Sequence, residues 1–142
     1  MNNPLELWRE YDIIRLGTYM LIMNCVWYKF IANSFYLQQL DLINNKPTTY
    51  RNWSMVLVYM IMLLGLNKLV LPLLNPNATF IEVWKIVRIY SLLVYGVLNL
   101  TNHAIIDGWS WQLTIVDLSW GMFMSTLSVW LTLRTSKSSH EE

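Results

Sequence analysis

Four long apolar stretches alternate with short polar segments along the chain. Crossing about 30 Å of hydrocarbon takes roughly 20 helical residues, and stretches of that length cover residues 13–36, 53–74, 80–106 and 110–133. The separators carry turn chemistry: Asn44-Asn45-Lys46-Pro47, Asn75-Pro76-Asn77 and Asp107-Gly108. The pattern predicts an all-α fold, an integral membrane four-helix bundle with up-down-up-down topology. An N-terminal segment of residues 1–12 precedes it and a polar tail of residues 134–142 follows. The third stretch is longer than a crossing requires, so it is expected to tilt or to extend partly outside the bilayer. Pro72 removes the backbone bond to the Lys68 carbonyl and is expected to kink the second helix near its end.

Polar residues within these stretches sharpen the picture, because a charge or amide in hydrocarbon needs a partner, a wet cavity or a route to the headgroups. On the third helix Arg88, Tyr95, Asn99 and His103 follow at spacings of seven, four and four, with Asn102 alongside. That is one polar stripe on one helical face, expected to point into the bundle. On the fourth, Thr114, Asp117, Gly121, Ser125, Ser128 and Thr132 recur every three or four residues, leaving Trp120, Phe123, Leu127 and Trp130 on other faces. Small residues in such a seam let helices approach closely in lipid. With Gly108 as the centre of an antiparallel hairpin, Asp117 lies opposite Asn99. Lys29 falls at a similar depth, so the expected cluster is Asp117, Asn99, His103 and Asn102 with Lys29 or Asn24, including a Lys29–Asp117 ion pair. Two roles fit such a cluster: interhelical hydrogen bonding, or a proton or ion relay through Asp117 and His103.

Charge adds the orientation. Arg9, Arg15, Arg134 and Lys137 share one side, against Lys46 and Arg51 on the other, which by the positive-inside rule puts both termini on the cytoplasmic or matrix-equivalent side. Arg15, Lys68, Lys85 and Arg88, gathered around the single acid Glu82, form a basic collar suited to anionic lipid headgroups. Trp8, Trp53, Trp84, Trp109 and Trp111 fall near span ends, where amphipathic rings prefer the interface. Glu6, Arg9, Glu10 and Asp12 ahead of the first stretch lack the pattern of a cleaved leader.

Composition then excludes several function classes. Only 13% of residues are charged and 55% are hydrophobic, roughly half the charged share of a soluble domain. A net charge of +1 lacks the basic stripe that nucleic acid requires. The lone Cys25 can neither close an intrachain disulfide nor anchor a Cys-rich metal site. No nucleophile elbow, phosphate loop, His-Glu-x-x-His or paired-carboxylate arrangement is present, and two histidines do not make a haem or di-iron site. No catalytic residue, metal ligand or cofactor is expected; the expected partners are membrane lipids and other membrane protein subunits.

The segments VWYKFIANSFYLQQL and LNLTNHAIIDGWSWQLTIVDLSWG, with the four-span layout, resemble the predicted membrane proteins grouped as domain of unknown function 2177. The most specific part is Thr101-Asn102, Gly108-Trp109, Leu113 to Asp117 and Trp120-Gly121. The family pattern carries Asp-x-x-Trp on the first helix and Tyr-Asp-x-Thr-Asn on the third. Here the matching positions are Asn24 with Trp27, and Leu98-Asn99 with Thr101-Asn102, so two of three intramembrane acids have become amides while Asp117 remains. The resemblance implies a fold and a membrane, and no activity. An amide still donates and accepts hydrogen bonds, so a bundling role survives the change where a three-acid proton path does not. The expectation is therefore a multi-pass accessory subunit without catalysis; the alternative is a small ion, proton or lipid transporter built around Asp117.

Overall fold

The computed structural model describes residues 4–44 and 51–138, with side chains from residue 12 onward apart from those of residues 31, 44, 137 and 138. Every element among them is helical. Successive segments run into one another to give four helices. The first covers 4–44 as Pro4–Trp27, Tyr28–Ala32 and Asn33–Asn44. The second is Asn52–Leu73, the third covers 80–105, and the fourth is Trp111–Ser138. The fourth helix therefore continues five residues past the span end expected at Leu133 and takes in part of the expected polar tail. The turn expected at Asn44 to Pro47, the side chains of Trp8, Arg9 and Lys137, and all of Lys46 lie outside the described residues.

Helix ends follow local chemistry. The second tightens into a 3₁₀ turn over Leu71–Leu73 around Pro72, because a proline cannot return the hydrogen bond the Lys68 carbonyl awaits. Asn75 Oδ1 accepts from the Asn77 backbone at 2.9 Å, and Asn75 O from Ala78 N at 2.9 Å, turning the chain. The third helix starts on a capping box, with Thr79 Oγ1 accepting from Glu82 N at 3.3 Å and Glu82 Oε2 from Thr79 N at 2.7 Å. Ile106 leaves the helix in an extended conformation, and Gly108 turns the chain at φ 84°, a left-handed conformation that suits glycine. Ser110 opens the fourth helix, its Oγ accepting from Leu113 N at 3.1 Å.

Three helices each contain a π-helical turn: Tyr28–Ala32, Leu66–Val70 and Leu92–Gly96. In each, the carbonyl of the first residue accepts from the residue five on, namely Asn33, Leu71 and Val97. A π turn inserts one residue and rotates everything beyond it to a new face. On the third helix the buried positions are Val83, Val87, Ser91, Gly96 and Asn99, and the one spacing of five falls in the π segment. The stripe expected from Arg88 to His103 is thereby broken. Arg88 is exposed, with its guanidinium 5.1 Å from the Trp84 ring centroid, while Asn99 is 1% exposed.

The fourth helix lies between the first and third, and the second joins them through its C-terminal half. Glycines set the close crossings. Tyr95 packs its ring where a Cβ on Gly121 would lie, and Tyr90 does the same at Gly65 while donating to Met62 O at 3.0 Å. Asn99 pairs with Asp117 and Tyr95 with Gly121, and beyond them Ser91, Val87, Ser125 and Val129 are buried on the third and fourth helices.

The interior combines a hydrophobic core around Leu16, Met20, Leu66, Val83 and Val87 with buried polar side chains, and the exterior is apolar, unlike that of a water-soluble bundle. Asn67, Ser91, Asn99, Thr114, Ser125, Thr126, Ser128 and Thr132 are buried, while Phe30, Ile61, Leu93 and Ile105 are between 64% and 74% exposed. Among the described residues, Asn52–Leu73 is the one helix long and apolar enough in itself to cross a membrane.

Candidate functional site

The polar side chains converge on Asp117. Its Oδ1 accepts from the Tyr36 hydroxyl at 3.0 Å and its Oδ2 from Asn99 Nδ2 at 2.5 Å. Asn99 Nδ2 also donates to the Tyr95 carbonyl at 3.0 Å, one helical turn back. A single carboxylate thus ties the first, third and fourth helices together.

The π turns put these partners in place. On the first helix the inward positions run Met20, Asn24, Trp27, Ala32 and Tyr36, with spacings of four, three, five and four; the five spans the segment Tyr28–Ala32. An uninterrupted α-helix would offer Ile31 and Phe35 instead. Leu92–Gly96 likewise delivers Asn99 rather than Leu98 to the Asp117 side.

A layer of aromatic rings brackets the carboxylate. Toward the middle of the bundle Trp27 stacks on Trp120 with centroids 4.3 Å apart and planes 5° from parallel, and Trp120 Nε1 donates to Asn24 Oδ1 at 3.3 Å. Tyr28 stacks on Tyr36 at 6.0 Å. Toward the turn, Trp109 Nε1 donates to Thr114 Oγ1 at 3.2 Å, Ser110 Oγ to Gln39 Oε1 at 2.6 Å, and His103 lies 4.1 Å from the Trp111 ring.

Several expected members of the cluster are elsewhere. Lys29 is exposed, with Nζ 5.4 Å from the Phe30 ring centroid, and among the described residues no ion pair joins it to Asp117. The expected Lys29–Asp117 pair is therefore replaced by Tyr36, which the inserted residue turns inward as Lys29 stays outside. His103 packs on Trp111 and does not bond to Asp117; Asn24 is taken up by Trp120; Asn102 is half-buried. Along the seam Thr114, Gly121, Ser125 and Ser128 are buried. Trp120, Leu127 and Trp130, assigned to other faces, are half-buried because neighbours flank the fourth helix on two sides, and Phe123 is exposed.

In the basic collar Lys68, Lys85 and Arg88 are exposed, and Arg15 pairs with Asp12 at 3.5 Å. Glu82, expected at its centre, is engaged in the cap of Thr79. Among the described residues no group of three or more His, Cys, Asp or Glu is placed to hold a metal. What the site offers chemically is a carboxylate with both oxygens occupied by donors from different helices. That arrangement holds helices together.

The sequence model of a family described as predicted membrane protein, DUF2177, matches residues 12–134. The chain belongs to that family. Tyr36, Asn99 and Asp117 all lie inside the matched region, so the three-helix tie is built from DUF2177 sequence and not from an appended segment. No match was found among curated proteins or among solved structures. Membership of DUF2177 makes this a predicted membrane protein, in accord with the apolar exterior described above.

Proposed function

We propose that the protein crosses its membrane four times, with both termini on the cytoplasmic or matrix-equivalent side, and serves as a non-enzymatic structural or accessory subunit of a larger membrane complex. The observation that carries this reading is the apolar exterior: large apolar side chains cover the outside, while Tyr36, Asn99 and the Asp117 carboxylate bond to one another between the helices. Water opposes such a surface and lipid accommodates it. Among the described residues hydropathy alone favours only the second helix because it charges the third and fourth in full for Asn99 and Asp117, whose cost is offset by their partners inside the bundle.

Transport through the Asp117 cluster has less support. Toward the end of the bundle that holds the termini, the buried positions beyond Ser91 and Ser125 mix the aliphatic Val87, Val83, Val129 and Leu133 with Thr126, Ser128 and Thr132, whose hydroxyls bond to Met122 O, to Met23 and Met124 Sδ, and to Ser128 O. Those hydroxyls are engaged within the bundle, and none of the described residues buried there is titratable, so no proton acceptor continues a path from Asp117.

Membranes solubilised in a mild detergent and separated on native gels test the subunit reading. The protein, 16.8 kDa by itself, is expected to migrate with other membrane proteins; migration as an isolated monomer contradicts the proposal.

A further inference from the structure

Gln39 sits level with the turn between the third and fourth helices, since its Oε1 accepts from Ser110 Oγ at 2.6 Å. Lys29 lies ten residues closer to the N-terminus, which at about 1.5 Å per residue places it roughly 15 Å deeper, near the middle of a hydrocarbon layer about 30 Å thick. A second contact agrees: Trp27, two residues away, stacks on Trp120, which is ten positions past Ser110.

At that depth Lys29 is exposed on the outside of the bundle, and Cys25 and Asn33, one turn to either side, are exposed with it. Among the described residues no carboxylate comes within 4.0 Å of its nitrogen, and its neighbour is the Phe30 ring, itself 71% exposed. A cation facing lipid at mid-depth is costly and calls for a counter-charge. Snorkelling serves a lysine near the end of a span, and Lys29 lies roughly 15 Å below the level of the third-to-fourth turn at about 1.5 Å per residue, farther than its own side chain extends. A second copy of this chain has Asp117 as its carboxylate at that depth, and both of its oxygens are bonded inside the bundle.

We infer that the outer face of the first helix, centred on Lys29, docks a transmembrane helix of a different protein that carries an Asp or Glu at mid-membrane depth. Charge complementarity specifies this occupant, and the exposed Asn33 gives it a second polar contact. The inference rests on the subunit reading above and names the chemistry of the partner.

The test uses full-length tagged protein from the membranes of its natural host, in a mild detergent, compared on native gels with Lys29→Met, Lys29→Arg and Lys29→Glu. Methionine is compatible with lipid, so Lys29→Met is expected to insert and accumulate normally while its partner falls at least tenfold; Lys29→Arg retains the partner. The lost companion should carry an acid within a span, and changing that acid to lysine should restore pairing with Lys29→Glu. An undiminished complex in Lys29→Met, a companion with no intramembrane acid, or association only with a second copy of the chain overturns the inference and leaves the subunit reading intact. Wild-type protein that runs alone overturns both.

Discussion

Replacing Asp117 with leucine is expected to cost the bundle about 1–3 kcal/mol and to loosen the first and third helices from the fourth together. The substitution strands the Tyr36 hydroxyl and the Asn99 amide, which now bond to the two carboxylate oxygens. An unpaired buried donor costs about 1–3 kcal/mol. In membranes the cost is smaller, because each interhelical hydrogen bond contributes about 0.6 kcal/mol on average and up to about 1.7. Asp117→Asn keeps an acceptor oxygen for one partner and gains an amide that donates to the tyrosine oxygen, so it is expected to stay within about 1 kcal/mol of wild type. Detergent unfolding followed by near-ultraviolet circular dichroism reads both, because the stacked Trp27 and Trp120 lie beside the carboxylate. Equal stability of Asp117→Leu and wild type would remove the carboxylate from its structural role.

Gly121→Ala should be comparably damaging although it adds one methyl group. A Cβ at that position falls within the Tyr95 ring, whose hydroxyl is 3.6 Å from Met62 Sδ on the second helix. The ring has a neighbour on its far side, so the third and fourth helices must separate. Overpacking of this kind costs about 1–3 kcal/mol. Tyr95→Ala opens the space, and the double variant is expected to be more stable than the sum of the two single losses predicts, because the substitutions share one contact. Additive losses would show that the two residues do not meet.

The helical class, the four apolar stretches and the pairing of Asp117 with Asn99 were legible because each rests on a regular period: the span length, or the symmetry of a hairpin about Gly108. What regular periodicity could not supply is where a helix departs from it. Depth alone puts Lys29 level with the carboxylate, and 3.6 residues per turn read through Tyr28–Ala32 continues the inward face of Met20, Asn24 and Trp27 to Ile31 and Phe35; the extra residue turns Tyr36 inward instead, and Lys29 stays outside. The same insertion at Leu92–Gly96 separates Arg88 from Asn99. Glycine and aromatic residues close together, as in Val94-Tyr95-Gly96, give little warning of a π turn, since the same residues occur in ordinary membrane helices. The spacing Thr79-x-x-Glu82 is that of a capping box, and in the fold the cap, not the neighbouring cations, engages Glu82. The stack of Trp27 on Trp120 depends on how two helices cross, which a single helix's pattern does not encode.

Site-directed labelling tests the central claim most directly. With Cys25→Ser as background, single cysteines are placed at Leu42, Asn75, Asp107 and Ser136 around the helix ends, and at Phe30, Leu69 and Ile115 on the apolar exterior. Sealed vesicles of known orientation are then treated with a membrane-impermeant maleimide. The account predicts labelling of Leu42→Cys and Asp107→Cys from one side, of Asn75→Cys and Ser136→Cys only from the other, and of none of the three exterior positions. Asn75→Cys and Asp107→Cys reacting from the same side, or exterior cysteines reacting as fast as those at the turns, would contradict it.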